Sequence, residues 1–364
     1  MQHNLQEMYS GGSGTDEGIS SQKAISTSRV EESGFESPNR FVYYARKVYH
    51  PIGFRKGYNF SLFVIFAGAM FGFALARLPY LNISGTASSS FFNNILPSEL
   101  YWYSQFSIYR IGITLHLYAV LPAGLLMVFQ FVPAIRYKLL PLHRINGYII
   151  IILVMISNVG ALMIARRAFG GGLETQAAVG TMVIMVTTSI SLAYYNIKRL
   201  QIEQHRKWML RAMFYLGVII TMRIILLVGS IVVNAQKSYW TVAECKEVEF
   251  GYQDPNMFRE MYPACVGLNG EIVDGHVAVQ GLADGMAEEV AVGFKLSFGM
   301  AAWVAIMMHL VGVEVYLALT PRETERLRKI SYERQLERGY RDPGRGGLTS
   351  DRVGDAVKWS PSGL

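Results

Sequence analysis

Residues Ala212–Val233 read AMFYLGVIITMRIILLVGSIVV, an apolar run whose only charged residue is Arg223. About 20 such residues in a helix cross the roughly 30 Å hydrocarbon core of a bilayer. Inside lipid every backbone amide must be paired within the segment, so this run is predicted to be an α-helix. Working outward, five further runs of the same kind appear: Phe60–Leu78, Ile108–Val132, Gly147–Ala165, Ala177–Tyr195 and Val290–Leu319. The fold class that follows is all-α, a polytopic transmembrane helical bundle of about six helices. The last run is long enough to hold a tilted or interfacial first turn around Lys295. Gly68, Gly72 and Ala76 form a small-residue stripe on the first run that permits close helix contact.

Composition agrees. Charged residues are 17% of the chain, hydrophobic residues 51%, and mean hydropathy is +0.24, whereas a soluble domain carries about 25% charged residues. Such a chain is not disordered overall, and its two cysteines exclude a disulfide scaffold or a four-thiolate zinc site. The flanks divide simply. Residues 1–40, rich in Ser, Gly and Glu, read as a disordered cytosolic tail with no apolar segment of a cleavable signal. Residues 41–59 are a basic and aromatic juxtamembrane segment suited to a headgroup surface. The transmembrane domain covers 60–319, with a long loop at 234–289, and 320–364 form a basic cytosolic tail.

Lys and Arg mark the cytosolic side of a membrane protein. They gather before the first run (Arg46, Lys47, Arg55, Lys56), between the second and third (Arg136, Lys138, Arg144), between the fourth and fifth (Lys198, Arg199, Arg206, Lys207, Arg211) and after the sixth. The opposite side has none from Pro79 to Ser107, and its long loop is acidic; Arg166 and Arg167 are the exception. Both termini are therefore expected in the cytosol, in an endomembrane or the plasma membrane. The net charge of +7 is a consequence of topology, which removes the case for nucleic acid and leaves the lipid bilayer as partner. Asn82-Ile83-Ser84 is a glycosylation sequon on the lumenal side, and Asn59-Phe60-Ser61 lies on the side where it stays unmodified. Cys245 and Cys265 share the long lumenal loop, where an oxidising compartment lets them pair.

Chemistry must come from the polar residues inside or at the ends of the runs, because such groups in lipid face a cavity, a partner or a cofactor. Four of the seven histidines qualify: His116, His143, His205 and His309. At 1.5 Å per residue, His116 lies roughly 12 Å from the lumenal end of its helix and His309 about 15 Å from the cytosolic end of its own. That places both at middle depth, where a pair of imidazoles could hold haem b, with iron at His116 and His309. His143 and His205 are a second pair, at the cytosolic edge. Arg223 lies about 16 Å into its helix and needs a partner, for which Glu314 is the expected carboxylate and Asn158 a neighbour. His143-Arg144 and His205-Arg206-Lys207-Trp208-Met209-Leu210-Arg211 also form a cytosolic rim whose Arg144, Arg206 and Arg211 suit an anion or a lipid headgroup. A phosphate-binding loop, a dinucleotide fingerprint, a nucleophile elbow and a zinc-protease helix are all absent.

His116, Leu142-His143-Arg144-Ile145-Asn146-Gly147 and His205 to Arg211, with Arg223 beyond, resemble a family of polytopic membrane proteins known as domain of unknown function 2306. The aromatic N-terminal extension is similar to its fungal members. The resemblance covers about Ile108–Val233 and implies a helical bundle patterned on His116, His143, Arg144, Gly147, His205, Arg206, Trp208, Arg211 and Arg223. It implies no reaction. The sequence thus points to an integral membrane protein with a buried His/Arg site, read as an oxidoreductase or other enzyme acting on a lipophilic small molecule. Two other readings stay open: a proton-coupled transporter using Arg223, Glu314 and His309, and a non-catalytic endomembrane scaffold.

Overall fold

A computed structural model describes residues 40–252 and 254–361; the tail read from residues 1–40 lies, apart from Arg40, outside the described residues. From Lys47 onward the chain forms a single unit. Short helix α1 (Arg40–Tyr49) carries the aromatic and basic juxtamembrane residues. Six helical spans follow that are long and apolar enough to cross a membrane. The first is α2 (Gly57–Arg77). After the short helix α3 (Pro97–Gln105) comes the second, α4 (Ser107–Gln130), which runs through Pro122. A turn of helix, α5 (Pro133–Lys138), leads to the third, α6 (Leu140–Ile164), and then to the fourth, α7 (Leu173–Lys198). The fifth is divided at Gly217 into α8 (Ile202–Leu216) and α9 (Val218–Gln236).

The long loop is folded. Strand β1 (Trp240–Glu244), helices α10 (Cys245–Gly251) and α11 (Pro255–Met261) and strand β2 (His276–Gln280) precede the sixth span, α12 (Ala287–Ala318). The strands pair antiparallel, with Val242 opposite Ala278. Cys245 and Cys265 form the expected disulfide, with Cα atoms 5.5 Å apart, and Cys245, Val248, Phe258 and Val279 build a small core beneath it.

Small residues set the helix crossings. Gly112 of α4 and Gly160 of α6 meet so closely that a Cβ on Gly160 would stand 2.6 Å from the Gly112 carbonyl and from the His116 amide. Gly229 and Gly293 play the same part where α9 crosses α12 beside Ser297, Ser230 and Asn234. The stripe expected to serve this purpose does not: a Cβ on Gly68 or Gly72 would meet nothing within 4 Å. The first span packs instead through Ala67, Met70 and Ala74, the latter two against Gly124.

The loops at 82–106, 165–172 and 237–286 meet on one side of the bundle, the loop face. On the opposite, basic face the C-terminal segment folds back as α13 (Pro321–Glu337) and α14 (Ser350–Val353). Buried Gln201 and Gln335 are joined by a hydrogen bond of 3.0 Å, and Ser331 donates to Glu203 at 2.7 Å. The Gly344 and Gly346 amides donate to Gln335. What reads as a basic tail is a strap docked on α8.

Candidate functional site

Helix α3 is short, lies outside the spans and starts at Pro97, whose fixed φ suits a first helical turn. It carries Glu99, Trp102 and Tyr103, all buried. Glu99 and Trp102 are one helical turn apart and so lie near one another on the helix surface. Each meets a different charged group.

Glu99 points to the turn between α6 and α7, where Phe169 adopts a left-handed φ of 49° and Gly170 and Gly171 continue at 79° and 60°. That turn aims the Phe169 amide at Glu99 Oε1, which accepts from it at 3.3 Å and from the Tyr103 hydroxyl at 3.4 Å. Phe169 stacks on Phe298 of α12, ring centroids 4.2 Å apart. Over the Phe169 ring stands the guanidinium of Arg223, 5.0 Å from its centroid. Burial raises the Glu99 carboxyl above its ordinary value, opposed by the Phe169 amide and the nearby Arg223 charge. The Tyr103 hydroxyl is raised well above its own, first by burial and then by Glu99.

His116 faces the same region from α4, within electrostatic reach of Arg223. Its Nδ1 lies 3.2 Å from the Ser157 carbonyl and 3.0 Å from the Ser157 hydroxyl on α6. A carbonyl only accepts, so that bond places the proton on Nδ1 and leaves Nε2 with its lone pair. The close Gly112–Gly160 crossing brings the α6 backbone near enough for this bond. Acid, base and cation thus converge from α3, α4 and α9.

Trp102 ties the same helix to the folded loop. Its indole donates to Glu247 Oε2 at 2.9 Å, and Lys295 donates to Glu247 at 2.9 Å and to Glu288 at 3.1 Å. Lys295 is 6% and Glu288 1% exposed. Lys295 therefore lies two turns inside α12 as a buried ion-pair centre, in place of the interfacial turn expected there. Arg167, the apparent exception to the charge rule, stands 3.4 Å over the Trp102 ring and pairs with Glu244 at 3.2 Å.

The other sequence candidates separate. Glu314 does not meet Arg223; it forms a bidentate pair with Arg211, at 2.6 and 3.0 Å. Arg211 follows Trp208 by one helical turn and stacks on its ring at 4.5 Å, so a nearer guanidinium takes the carboxylate. Asn158 donates to Thr187 and stays apart from Arg223. His309 Nδ1 donates to the Phe214 carbonyl at 2.6 Å and its Nε2 accepts from Thr221 at 2.8 Å. These bonds serve the break in the fifth span at Gly217 and tie His309 to α8 and α9, whereas His116 is tied to α6; among the described residues no contact brings the two imidazoles together as the expected haem pair. The Arg223–Glu314–His309 relay of a carrier is likewise not assembled.

On the basic face, His205 Nδ1 donates to the Ala193 carbonyl at 2.9 Å. His143 lies within electrostatic reach of His205, Arg136 and Arg144. Arg206 donates to Thr320 at 3.3 Å. Of the residues expected to form an anion rim, Arg206 is thus bonded to Thr320 and Arg211 to Glu314, and Arg144 lies near His143. Glu99, Tyr103 and the Lys295 centre escaped sequence reading, because charges in loop segments are ordinary and their partners lie far along the chain. The one available signal was the polar Pro97-Ser98-Glu99 start among aromatics.

Residues 113–245 match the model of a family described as predicted membrane protein (DUF2306), the family that the His116, His143 and His205 motifs resemble. The match contains His116 and Arg223, whereas Glu99, His309 and Glu314 lie beyond it. The chain is also similar to Ava biosynthesis cluster protein G of Aspergillus versicolor, 24% identical over 311 residues covering 73% of this chain and 90% of that protein. No solved structure matches.

Proposed function

We propose that this membrane protein is an enzyme that performs acid–base chemistry on a lipophilic small molecule at the Glu99–Arg223–His116 site. The observation that carries the reading is the convergence, inside a bundle of membrane-spanning helices, of a carboxyl that burial pushes toward its protonated form, a guanidinium and an imidazole with its Nε2 open. Groups placed only to hold helices together are spent on their neighbours, as His309 is on Phe214 and Thr221 and Glu314 is on Arg211. Arg223 and His116 Nε2 are not spent in this way.

The chemistry follows from the groups. Arg223 polarises a substrate oxygen, Glu99 gives a proton to one substrate atom, and His116 Nε2 takes a proton from another. The net result is a proton shift, as in isomerisation or ring closure, and it consumes no oxidant. Tyr103 and the Phe169 amide orient the Glu99 carboxyl. A relative named for a biosynthesis cluster supports an enzyme of small-molecule metabolism. In this reading both ends of the chain and the basic face lie in the cytosol, and the site lies in the lumenal half of the bilayer.

The test compares lipid-soluble metabolites in a host lacking the gene and in the same host carrying wild-type protein, Glu99→Gln, His116→Gln or Arg223→Gln. Wild type should restore a product, and each variant, at equal membrane abundance, should accumulate its precursor. Full restoration by all three variants would remove the proposal.

A further inference from the structure

Charge is not balanced around the site. Arg223 shares its neighbourhood with a second guanidinium, that of Arg77 at the end of α2. Helix α2 runs beside the fifth span, Phe66 meeting Phe214 with ring centroids 5.8 Å apart. Toward the loop face from that contact the two arginines follow at similar depth on α2 and α9, which pack together, near enough to act on each other electrostatically. Arg77 stands over two aromatic rings, Phe73 at 5.5 Å and Tyr80 at 5.3 Å, as Arg223 stands over Phe169. Among the described residues, neither guanidinium donates a hydrogen bond or sits in an ion pair. Both are only partly buried. The carboxyl in reach, Glu99, is 5% exposed and already accepts from Phe169 and Tyr103.

Two like charges brought together in a low-dielectric region repel and are costly to hold there. Aromatic faces offset part of that cost without neutralising the charge. Two forks of N–H donors remain open, which is the donor set that recognises carboxylate or phosphate oxygens. The surroundings indicate how such an anion arrives. Beside Arg223, α9 presents Ile224, Leu227 and Val228 outward, and beside Arg77, α2 presents Leu75, all of them exposed on the lipid-facing surface.

We propose that Arg77 and Arg223 together bind the anionic head of an amphiphile that enters from the bilayer between α2 and α9. This names the substrate class for the site and rests on the enzymatic reading given above: a lipophilic anion with its carboxylate or phosphate ester between the two guanidinium groups and its apolar body along α2 and α9. Glu99 and His116 then face the atoms next to the head.

The test uses the full-length protein in nanodiscs of phosphatidylcholine. The probes are a pyrene-labelled hexadecanoic acid, its methyl ester and, as the membrane-lipid source of the same chemistry, phosphatidate. The acid should bind at least tenfold more tightly than the ester, and Arg77→Gln or Arg223→Gln should each weaken it tenfold or more. Competition by phosphatidate assigns the site to a lipid phosphate; its absence assigns it to a free lipophilic acid. Equal binding of acid and ester, or arginine variants that bind normally, would overturn the inference. Should either variant fail to fold, a diazirine-bearing acid photocrosslinked to wild type decides: label in the peptides around Arg77 and Arg223 supports the site, and label confined elsewhere refutes it. Acid that binds in this way in a protein whose Glu99→Gln and His116→Gln forms restore all metabolites leaves the anion site standing and removes the enzyme. Glu99-dependent turnover indifferent to head charge does the reverse.

Discussion

At the scale of single residues, Glu99 gives the clearest consequence. Burial raises its pKa, so below the raised value the carboxyl is protonated and neutral, and above it a charge must be sustained beside Phe169. A reaction that needs the Glu99 proton should therefore fall as pH rises through that raised value. Glu99→Gln should abolish the basic limb along with most of the rate, roughly 100-fold or more for loss of a general acid; a wild-type pH profile in the variant would show that another group supplies the proton. Arg223 and His116 were legible from sequence because polar groups in an apolar run are conspicuous. Their partners were not. Counting residues along a helix gives depth but neither azimuth nor neighbouring helix, so Glu314 was matched with Arg223 although Arg211 takes it. Glu99, in an ordinary polar loop more than a hundred residues from Arg223, carries no periodic signal.

Among the elements, α3 links the site to the folded loop. Glu99 meets the Phe169 turn, and Trp102 meets Glu247, which Lys295 holds together with Glu288. One ammonium thus serves two buried carboxylates and fixes the position of α3 over the bundle. Lys295→Met should leave both carboxylates buried without a cation and cost about 3–5 kcal/mol, the loss typical of breaking a buried pair. Thermal unfolding in detergent measures it, and adding Glu247→Gln should recover part of the loss. A variant as stable as wild type would mean that these carboxylates are held by other contacts. The disulfide in the same loop closes 20 residues and adds roughly 3 kcal/mol by loop entropy. Hydropathy read the spans well because length and apolarity are local properties. It missed the loop's hairpin and small core, whose contacts are set by tertiary neighbours, and it missed the division of the fifth span, where the Phe214 carbonyl accepts from the Gly217 amide and from His309 of a distant helix.

For the whole molecule, an even number of spans places both ends of the bundle on one side, and in the proposed reading the Lys and Arg positions put that side in the cytosol. The C-terminal segment shows where a charge pattern stops being informative. Arg328 and Arg345 count as cytosolic markers, yet both are tied to Asp351 inside the strap. The side they mark can still be read, but their structural role depends on a fold-back that no local period announces. The loop face supplies an independent test of orientation. Asn82 is exposed there just after the first span, with its backbone amide bonded back to the Pro79 carbonyl. Asn59, in the first turn of that span, has a buried side-chain oxygen. If the loop face is lumenal, glycosidase treatment should increase the gel mobility of the wild-type protein by one glycan. Asn82→Gln should abolish that shift and Asn59→Gln should leave it unchanged. A glycan on Asn59 would invert the bundle, placing Glu99 and Arg223 in the cytosolic half of the bilayer and His143 and His205 in the lumen.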